Sequence, residues 1–230
     1  MVSYTFPITF RTRSEQAVEL SQIVKQLGLV YDLCVEDFIL NFFYELNMQQ
    51  KKISVIDPTV ARFTSLKVLN LSFNNIQRIE NLPPLLEELY LNGNQLNEIG
   101  VNPNKPLQSL IHLGVSRNQL RQTALSQIVK VFPNLFCLDI SYNNLCEMES
   151  TMIWIQKLSN LVMLSLEGNP VILIPNYQKV IISRVPNVKI IDNITVPLED
   201  RKAAEEAARE RASRLSSVNA ESIKQTPIEP

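Results

Sequence analysis

The middle of the chain repeats one pattern five times, and this repetition constrains the fold more than any other feature of the sequence. The pattern is Leu-x-x-Leu-x-Leu-x-x-Asn-x-Leu, with Ile or Val at some apolar positions, and its copies begin at Leu66, Leu86, Leu110, Leu135 and Leu161. The asparagines lie 20 to 26 residues apart, at Asn74, Asn94, Asn118, Asn143 and Asn169. Such a period is typical of solenoids, in which each repeat stacks on the next.

Alternating apolar residues predict one short strand in each repeat. In the first copy Leu69 and Leu71 point inward, and strands of successive repeats would pair in parallel about 4.8 Å apart. One repeat cannot bury its apolar face alone, so the copies are stable only as a stack. Each asparagine is expected to turn inward and satisfy backbone groups at the bend after its strand. The sequence therefore predicts an α/β leucine-rich-repeat solenoid with a curved parallel sheet on its concave face.

The chain between strands should build the convex face from 3₁₀ turns and short helices. The first repeat is short and leaves room only for a tight turn or a 3₁₀ stretch. Residues 123–132 and 149–158 carry apolar side chains at helical spacing, which predicts two helices. Trp154 lies in the second of these segments, and burial on the convex side is the favoured interpretation over a role as a binding hot spot.

The exposed ends of such a stack need caps. Upstream, residues 14–27 and about 32–48 are expected to form helices, and residues 52–57 a degenerate strand. Downstream, residues 198–215 are rich in helix formers, and either a solvated helix or a partner-docking helix fits them. This predicts a helical N-terminal cap over 1–52, the repeat array with its C-terminal cap over 53–196, and a charged helix with a disordered tail over 197–230.

The C-terminal end of the array resembles a known cap. Tyr177 followed by the segment from Pro186 to Asp192 is similar to the cap of the protein-phosphatase-regulator (SDS22-like) class of leucine-rich repeats. There a helix carrying the tyrosine covers the last strand, and a short strand closes the sheet. The resemblance implies that Asp192 bonds backbone amides and is not a catalytic acid.

Residues 35 to 198 also resemble the family of leucine-rich-repeat-containing protein 43. The matching pieces are Phe42-Phe43-Tyr44, Asn81–Leu85, His112–Val115, Phe132–Leu135, Gly168–Pro170 and Ile191–Val196. That family is associated with ciliated cells and has no established biochemical activity. The resemblance therefore implies a place in the cilium or axoneme and leaves the mechanism open.

The third and fifth positions of each repeat should project from the concave face, because side chains alternate along a strand. Gly114 among them would leave a notch between Tyr90 and Asp139 into which a partner side chain could enter. Tyrosine, phenylalanine and arginine are enriched in protein interfaces. The predicted protein-binding residues are Val68, Asn70, Phe73, Glu88, Tyr90, Asn92, His112, Arg117, Cys137, Asp139, Tyr142, Met163, Ser165 and Glu167.

One row of this face contains Glu88, His112 and Cys137, the residue types of a cysteine nucleophile or a zinc site. An open strand face offers no oxyanion hole, because its amides are used in pairing. No helix N-terminus is expected near Cys137 to lower the pKa of its thiol. The chain also lacks a phosphate-binding glycine loop. We therefore predict no enzyme activity, no cofactor and no metal.

Charge and targeting features bound the remaining classes of function. The chain has 22 basic and 23 acidic residues, which does not favour nucleic-acid binding. Its N-terminus lacks the pattern of a signal peptide, no apolar run is long enough to span a membrane, and its three cysteines make no disulfide framework. We expect a monomeric scaffold or adaptor in a larger intracellular assembly, in the cytoplasm or axoneme. The alternative is a cytoplasmic or nuclear regulatory subunit that targets a phosphatase.

Overall fold

The computed structural model describes residues 40–102, 104–207 and 209, which form a leucine-rich-repeat solenoid as the sequence predicts. The helix predicted over 14–27 and residues 210–230 lie outside the described residues. In chain order the strands are β1 (Glu45–Asn47), β2 (Val68–Asn70), β3 (Arg78–Ile79), β4 (Glu88–Tyr90), β5 (Glu98–Ile99), β6 (His112–Gly114), β7 (Cys137–Asp139), β8 (Met163–Ser165), β9 (Ile190–Ile191) and β10 (Ile194–Thr195).

Eight of these strands form the concave sheet, in the order β1-β2-β4-β6-β7-β8-β9-β10. Every neighbouring pair is parallel except β9 and β10, which form an antiparallel hairpin. The inward column of Leu69, Leu89, Leu113, Leu138 and Leu164 is at most 1% exposed. This column is the centre of one continuous core.

The repeat asparagines form the expected ladder. Asn118 donates from Nδ2 to the carbonyls of Leu91, Val115 and Ser116, and its Oδ1 accepts from the amide of Leu96. The other four occupy the same place in their repeats, and all five are buried: Asn74, Asn94, Asn118, Asn143 and Asn169. The prediction that they serve structure is confirmed. They satisfy backbone groups that the bend after each strand leaves unpaired.

The convex side changes along the array. Its first part contains a 3₁₀ turn, Pro58–Arg62, and the two-stranded parallel sheet of β3 and β5, which the sequence did not predict. Its second part contains α1 (Gln122–Val131), α2 (Met148–Ile155), a 3₁₀ turn, Pro170–Leu173, and α3 (Tyr177–Arg184). The helices predicted over 123–132 and 149–158 are confirmed as α1 and α2. Trp154 is half-buried against the core, and Lys157 lies 4.1 Å above its ring.

The helix predicted to reach Met48 is wrong in its last part. Residues 40–42 are helical, but Glu45–Asn47 is the strand β1, which pairs with β2. The segment from Phe43 to Ile53 follows the repeat pattern, with Lys51 at the position of the asparagine. Asn74 of the next repeat compensates, because its Oδ1 accepts from the amides of Lys51 and Ile53.

This correction moves the start of the repeat array. Residues 52–57 form no strand, and the first strand lies inside the segment assigned to the cap. The array therefore begins near residue 43 and not at residue 53. The apolar and aromatic residues here suit a helix as well as a strand, and pairing with β2 selects the strand.

The C-terminal cap has the expected architecture. The hydroxyl of Tyr177 on α3 donates to Asp192 Oδ2 over 2.8 Å, and Asp192 Oδ1 accepts from the amides of Leu166 and Glu167. Residues 198–207 are helical, in agreement with the predicted charged helix. Arg201 on it donates to the carbonyls of Pro186 and Val188, so one side of this helix contacts the body.

Candidate interaction surface

The strand register brings the predicted residues into two rows on the concave sheet. Val68, Glu88, His112, Cys137 and Met163 are direct neighbours in one row, and Asn70, Tyr90, Gly114, Asp139 and Ser165 in the next. All of them except Gly114 are half-buried or exposed. The rows also include Glu45 and Asn47 of β1, which sequence reasoning missed because it placed them on a helix. The degenerate repeat around them was the signal that could have found them.

Three of the predicted binding residues also serve the backbone. Asn70, Asn92 and Asp139 each accept from a serine amide through Oδ1, over 3.0 Å in every case. The serines are Ser72, Ser116 and Ser141. These side-chain oxygens fix the backbone just after the strands, and they are already engaged in hydrogen bonds within the protein. Substitution at these positions would disturb the fold as well as the surface.

The notch predicted at Gly114 is filled. A Cβ atom on Gly114 would lie 3.0 Å from Asn92 Oδ1 and 3.3 Å from Tyr90 Cδ1, and the glycine is buried. The absence of a side chain therefore admits two neighbouring side chains of the protein itself. The prediction of an empty notch is wrong because side chains from the preceding repeat lean over the next one.

Glu88, His112 and Cys137 are adjacent as expected, and Tyr90 joins them. The Tyr90 hydroxyl donates to Glu88 Oε2 over 2.7 Å and lies 3.5 Å from His112 Nδ1, and the two rings are 4.9 Å apart. Burial is the main cause that raises the pKa of Tyr90, and the hydrogen bond to Glu88 raises it further. Glu88 therefore accepts a hydrogen bond from Tyr90 and is not aligned to orient the imidazole of His112.

The charge states of this cluster do not favour nucleophilic chemistry. Burial lowers the pKa of His112, although Glu88 and Asp139 act in the opposite direction. Burial also raises the pKa of the Cys137 thiol, with a smaller contribution from Asp139 and Glu88. The result is a neutral imidazole beside a protonated thiol, whereas cysteine nucleophiles need a stabilised thiolate. Within the described residues no group of three acidic, histidine or cysteine side chains is arranged to hold a metal ion.

The residue before each ladder asparagine has a left-handed backbone. This position is glycine in two repeats, Gly93 and Gly168, and Phe73, Arg117 or Tyr142 in the other three. A left-handed conformation costs a residue with a side chain roughly 1–2 kcal/mol. These three residues therefore occupy conformations that glycine would adopt without strain.

Phe73, Arg117 and Tyr142 form a rim along the concave face. The ring of Phe73 lies against Gly93 and that of Tyr142 against Gly168, in space that a Cβ atom would fill. The Arg117 guanidinium lies 4.6 Å above the Tyr142 ring, and the Tyr142 hydroxyl donates to Glu167 over 2.9 Å. Phe73 is 52% and Tyr142 is 42% exposed. The rim thus presents two packed aromatic rings and an oriented guanidinium to solvent.

None of the helices in the described part of the chain has both the length and the apolar character needed to cross a bilayer. Two family models of leucine-rich repeats match the sequence, one over residues 106–219 and one over residues 65–86.

Comparison with curated proteins finds similarity to leucine-rich repeat-containing protein 43. The Homo sapiens protein is 32% identical over 178 residues, which are 75% of this chain and 27% of that protein. The Mus musculus protein of the same name is 32% identical over 180 residues, 76% of this chain and 27% of that protein. The chain therefore spans about a quarter of the length of these relatives.

Among solved structures, a leucine-rich-repeat protein of Leptospira interrogans superposes with a TM-score of 0.50 and 26% sequence identity. The match covers 70% of this chain and 39% of that protein. It agrees with the solenoid architecture described above.

Proposed function

This chain belongs to the leucine-rich-repeat family, and from that premise we propose that it is a non-catalytic scaffold that binds other proteins through its concave face. Proteins with these repeats generally mediate protein–protein interaction. One observation carries the proposal for this chain. The rim of Phe73, Arg117 and Tyr142 holds side chains of the types that dominate interface energies in strained, exposed positions beside the concave rows.

The backbone of the concave sheet leaves recognition to side chains. Its strands pair on both sides from β2 to β9, so their amides and carbonyls are used within the sheet. Among the described residues no buried side-chain polar atom lacks a hydrogen-bond partner. The surface is therefore stable without a ligand and can bind a partner without refolding.

We further propose that the partner belongs to the ciliary axoneme. The support is the resemblance to leucine-rich repeat-containing protein 43 in its repeats and cap. The alternative, a phosphatase-targeting subunit, has only the architecture of the cap in its favour. The contacts of Tyr177 and Asp192 are internal and present no chemistry that would select a phosphatase.

The test is cross-linking and proximity labelling of the tagged protein in ciliated cells. The double variant Phe73→Glu with Glu88→Lys alters the rim and a concave row without removing a side chain that accepts from a backbone amide. We expect it to lose the labelled partners, while the control Lys179→Glu, on the exposed side of α3, keeps them. An unchanged set of partners in the double variant would refute the concave site. Labelling confined to the cell body would refute the axonemal location alone.

A further inference from the structure

A third row of side chains lies beside the two concave rows, along the side of the sheet at which the strands begin. It contains the residue after the first apolar position of each repeat: Tyr44, Lys67, Glu87, Ile111, Phe136 and Val162. Backbone bonds join them in line, since the amide of each residue from Lys67 onward donates to the carbonyl of the one before it. Lys189 continues this edge row, because its amide donates to the carbonyl of Val162.

The two halves of the edge row differ in character. In the first half Tyr44 is 62% exposed, and Lys67 Nζ lies 2.6 Å from Glu87 Oε1, an ion pair suited to a solvated edge. In the second half Ile111 is 44% and Phe136 is 49% exposed, and Val162 beside them is half-buried. These three residues, the apolar strip, lie on adjacent repeats and line an open groove of about 660 Å³. Contiguous exposed apolar groups on a polar surface are typical of binding sites.

The groove is not suited to a partner that adds a strand. The amides of Ile111, Phe136, Val162 and Lys189 already donate within the array, over 2.8–2.9 Å. Two side-chain amides that line the groove are used in the same way. Asn134 donates to the carbonyl of Gln108, and Asn187 to that of Ser159. A partner must therefore be recognised through its side chains and satisfy its own backbone, as an α-helix does.

The spacing of the apolar strip fits a helix. Its members follow the strands, which lie about 4.8 Å apart. One face of an α-helix repeats about every 5.4 Å, whereas alternate residues of an extended chain lie about 6.6 Å apart. Three apolar side chains one turn apart would thus meet Ile111, Phe136 and Val162 in turn.

Charge sets the direction of the partner. Beside Ile111 the edge row continues with Glu87 and Lys67, whose charges neutralise each other in an ion pair. The other end carries Lys189, which is exposed and has no ion pair within the described part of the chain. A partner helix gains most when an acidic residue lies over Lys189.

We propose that the apolar strip and Lys189 form a second docking surface, separate from the concave face. Its occupant is an amphipathic helix of another protein, with three apolar residues one turn apart and an acidic residue over Lys189. Two partners could then bind the solenoid at the same time, one on the concave face and one on the edge of the sheet.

The test uses two synthetic helical peptides and the full chain. Both peptides carry three leucines one turn apart; one has glutamate a turn beyond the last leucine, and the other has lysine there. Fluorescence anisotropy should show tighter binding of the glutamate peptide. Phe136→Asp should weaken that binding by about tenfold or more, and the variant should still unfold cooperatively because Phe136 is half exposed. Lys189→Glu should reverse the preference between the peptides, and the concave control Glu88→Lys should leave binding unchanged.

Several results would overturn the proposal. These are equal binding of both peptides to the natural chain, no binding of either at millimolar protein, and loss of binding in Glu88→Lys comparable to that in Phe136→Asp. A proline-containing extended peptide of the same composition that bound equally well would also overturn it, because the site would not select a helix. Loss of binding in Glu88→Lys would place the peptide on the concave face; the other outcomes do not bear on the concave site, which is tested by its own variants.

Discussion

The first two repeats and the last three share one inner layer but have different outer layers. Inside, each repeat places a leucine on the sheet and an asparagine in the ladder, from Leu69 and Asn74 to Leu164 and Asn169. Outside, the first two repeats have the short strands β3 and β5, whereas the later ones have α1, α2 and α3. The edge row changes in parallel, from an ion pair to the apolar strip. The inner layer therefore specifies the fold, and the outer layer is free to differ.

Repeat length alone does not explain this difference. The second and third repeats differ by one residue in the spacing of their asparagines, yet only the third contains a helix. The second repeat carries Pro103 and Pro106 after β5, where a helix would otherwise fit. Proline lacks the amide hydrogen that a helix interior needs. Length permits a helix on the convex side, and the local sequence decides whether one forms.

The largest effect is expected from a charge in the shared inner layer. Leu69 and Leu138 lie in different halves and are 0% and 1% exposed. Replacing either by Asp should cost several kcal/mol, because a buried charge would lack a partner. Both variants should lose cooperative unfolding in urea, followed by circular dichroism, whereas Ser165→Asp on the concave surface should keep it. A normal melt in only one of the two leucine variants would break the equivalence of the halves.

Loss of a ladder asparagine should be the next largest effect. Asn94 makes three side-chain hydrogen bonds and Asn143 makes four, all with backbone groups. Replacing either by Ala should lower the free energy of unfolding by about 2–4 kcal/mol, since buried groups remain unpaired. Urea titration of each variant measures this, with the exposed Asn144→Ala as control. A difference above about 2 kcal/mol between the two variants would show that the ladder is not uniform.

Replacing the glycine at the left-handed position should lower stability in both halves, because an aromatic ring lies against each glycine. A Cβ atom on Gly93 would lie 2.7 Å from Phe73 Cδ1, and one on Gly168 would meet Tyr142 in the same way. Each glycine to alanine change should cost about 1–2 kcal/mol from the backbone alone, and the clash adds to it. Removing the ring from these variants, with Phe73→Ala or Tyr142→Ala, should recover only the part of the lost stability that is due to the clash. A double-mutant cycle that shows no coupling would contradict the packing of ring on glycine.

The smallest effect is expected at the C-terminal cap. Burial, and then the hydrogen bond to Asp192, raises the pKa of Tyr177 to about 12. Because an unfolded tyrosine ionises near pH 10, the folded state loses stability as pH rises from about 10 to 12. Tyr177→Phe should cost about 0.5–1.5 kcal/mol at neutral pH and show a smaller loss over this alkaline range. An identical alkaline loss in the variant would mean that other groups cause it.

Much of this arrangement could be predicted from particular residues. The spacing of Asn74 to Asn169 was enough to place five strands, five ladder positions and the direction of the alternate side chains. The start of the array could not be placed in this way. The aromatic residues beside β1 suit a helix as well as a strand, and only pairing with β2 and the hydrogen bond that the Lys51 amide donates to Asn74 distinguish them. The apolar strip is not predicted by strand alternation, because the second position of each repeat precedes the strand and alternation does not assign it to a face.

The amino-acid pattern alone is enough to predict the period, and with it the parallel sheet, the buried leucine column and the rows of the concave face. Periodicity is a local property, so it survives without knowledge of distant contacts. Which of those side chains contact other groups of the protein follows from the tertiary structure alone. Tyr90 and Asn92 fill the space over Gly114, and Asp139 bonds the amide of Ser141. Ile111 and Phe136 are left exposed, and Val162 beside them is half-buried. Side chains of one repeat lean over the next, and that contact depends on the stack and not on any single repeat.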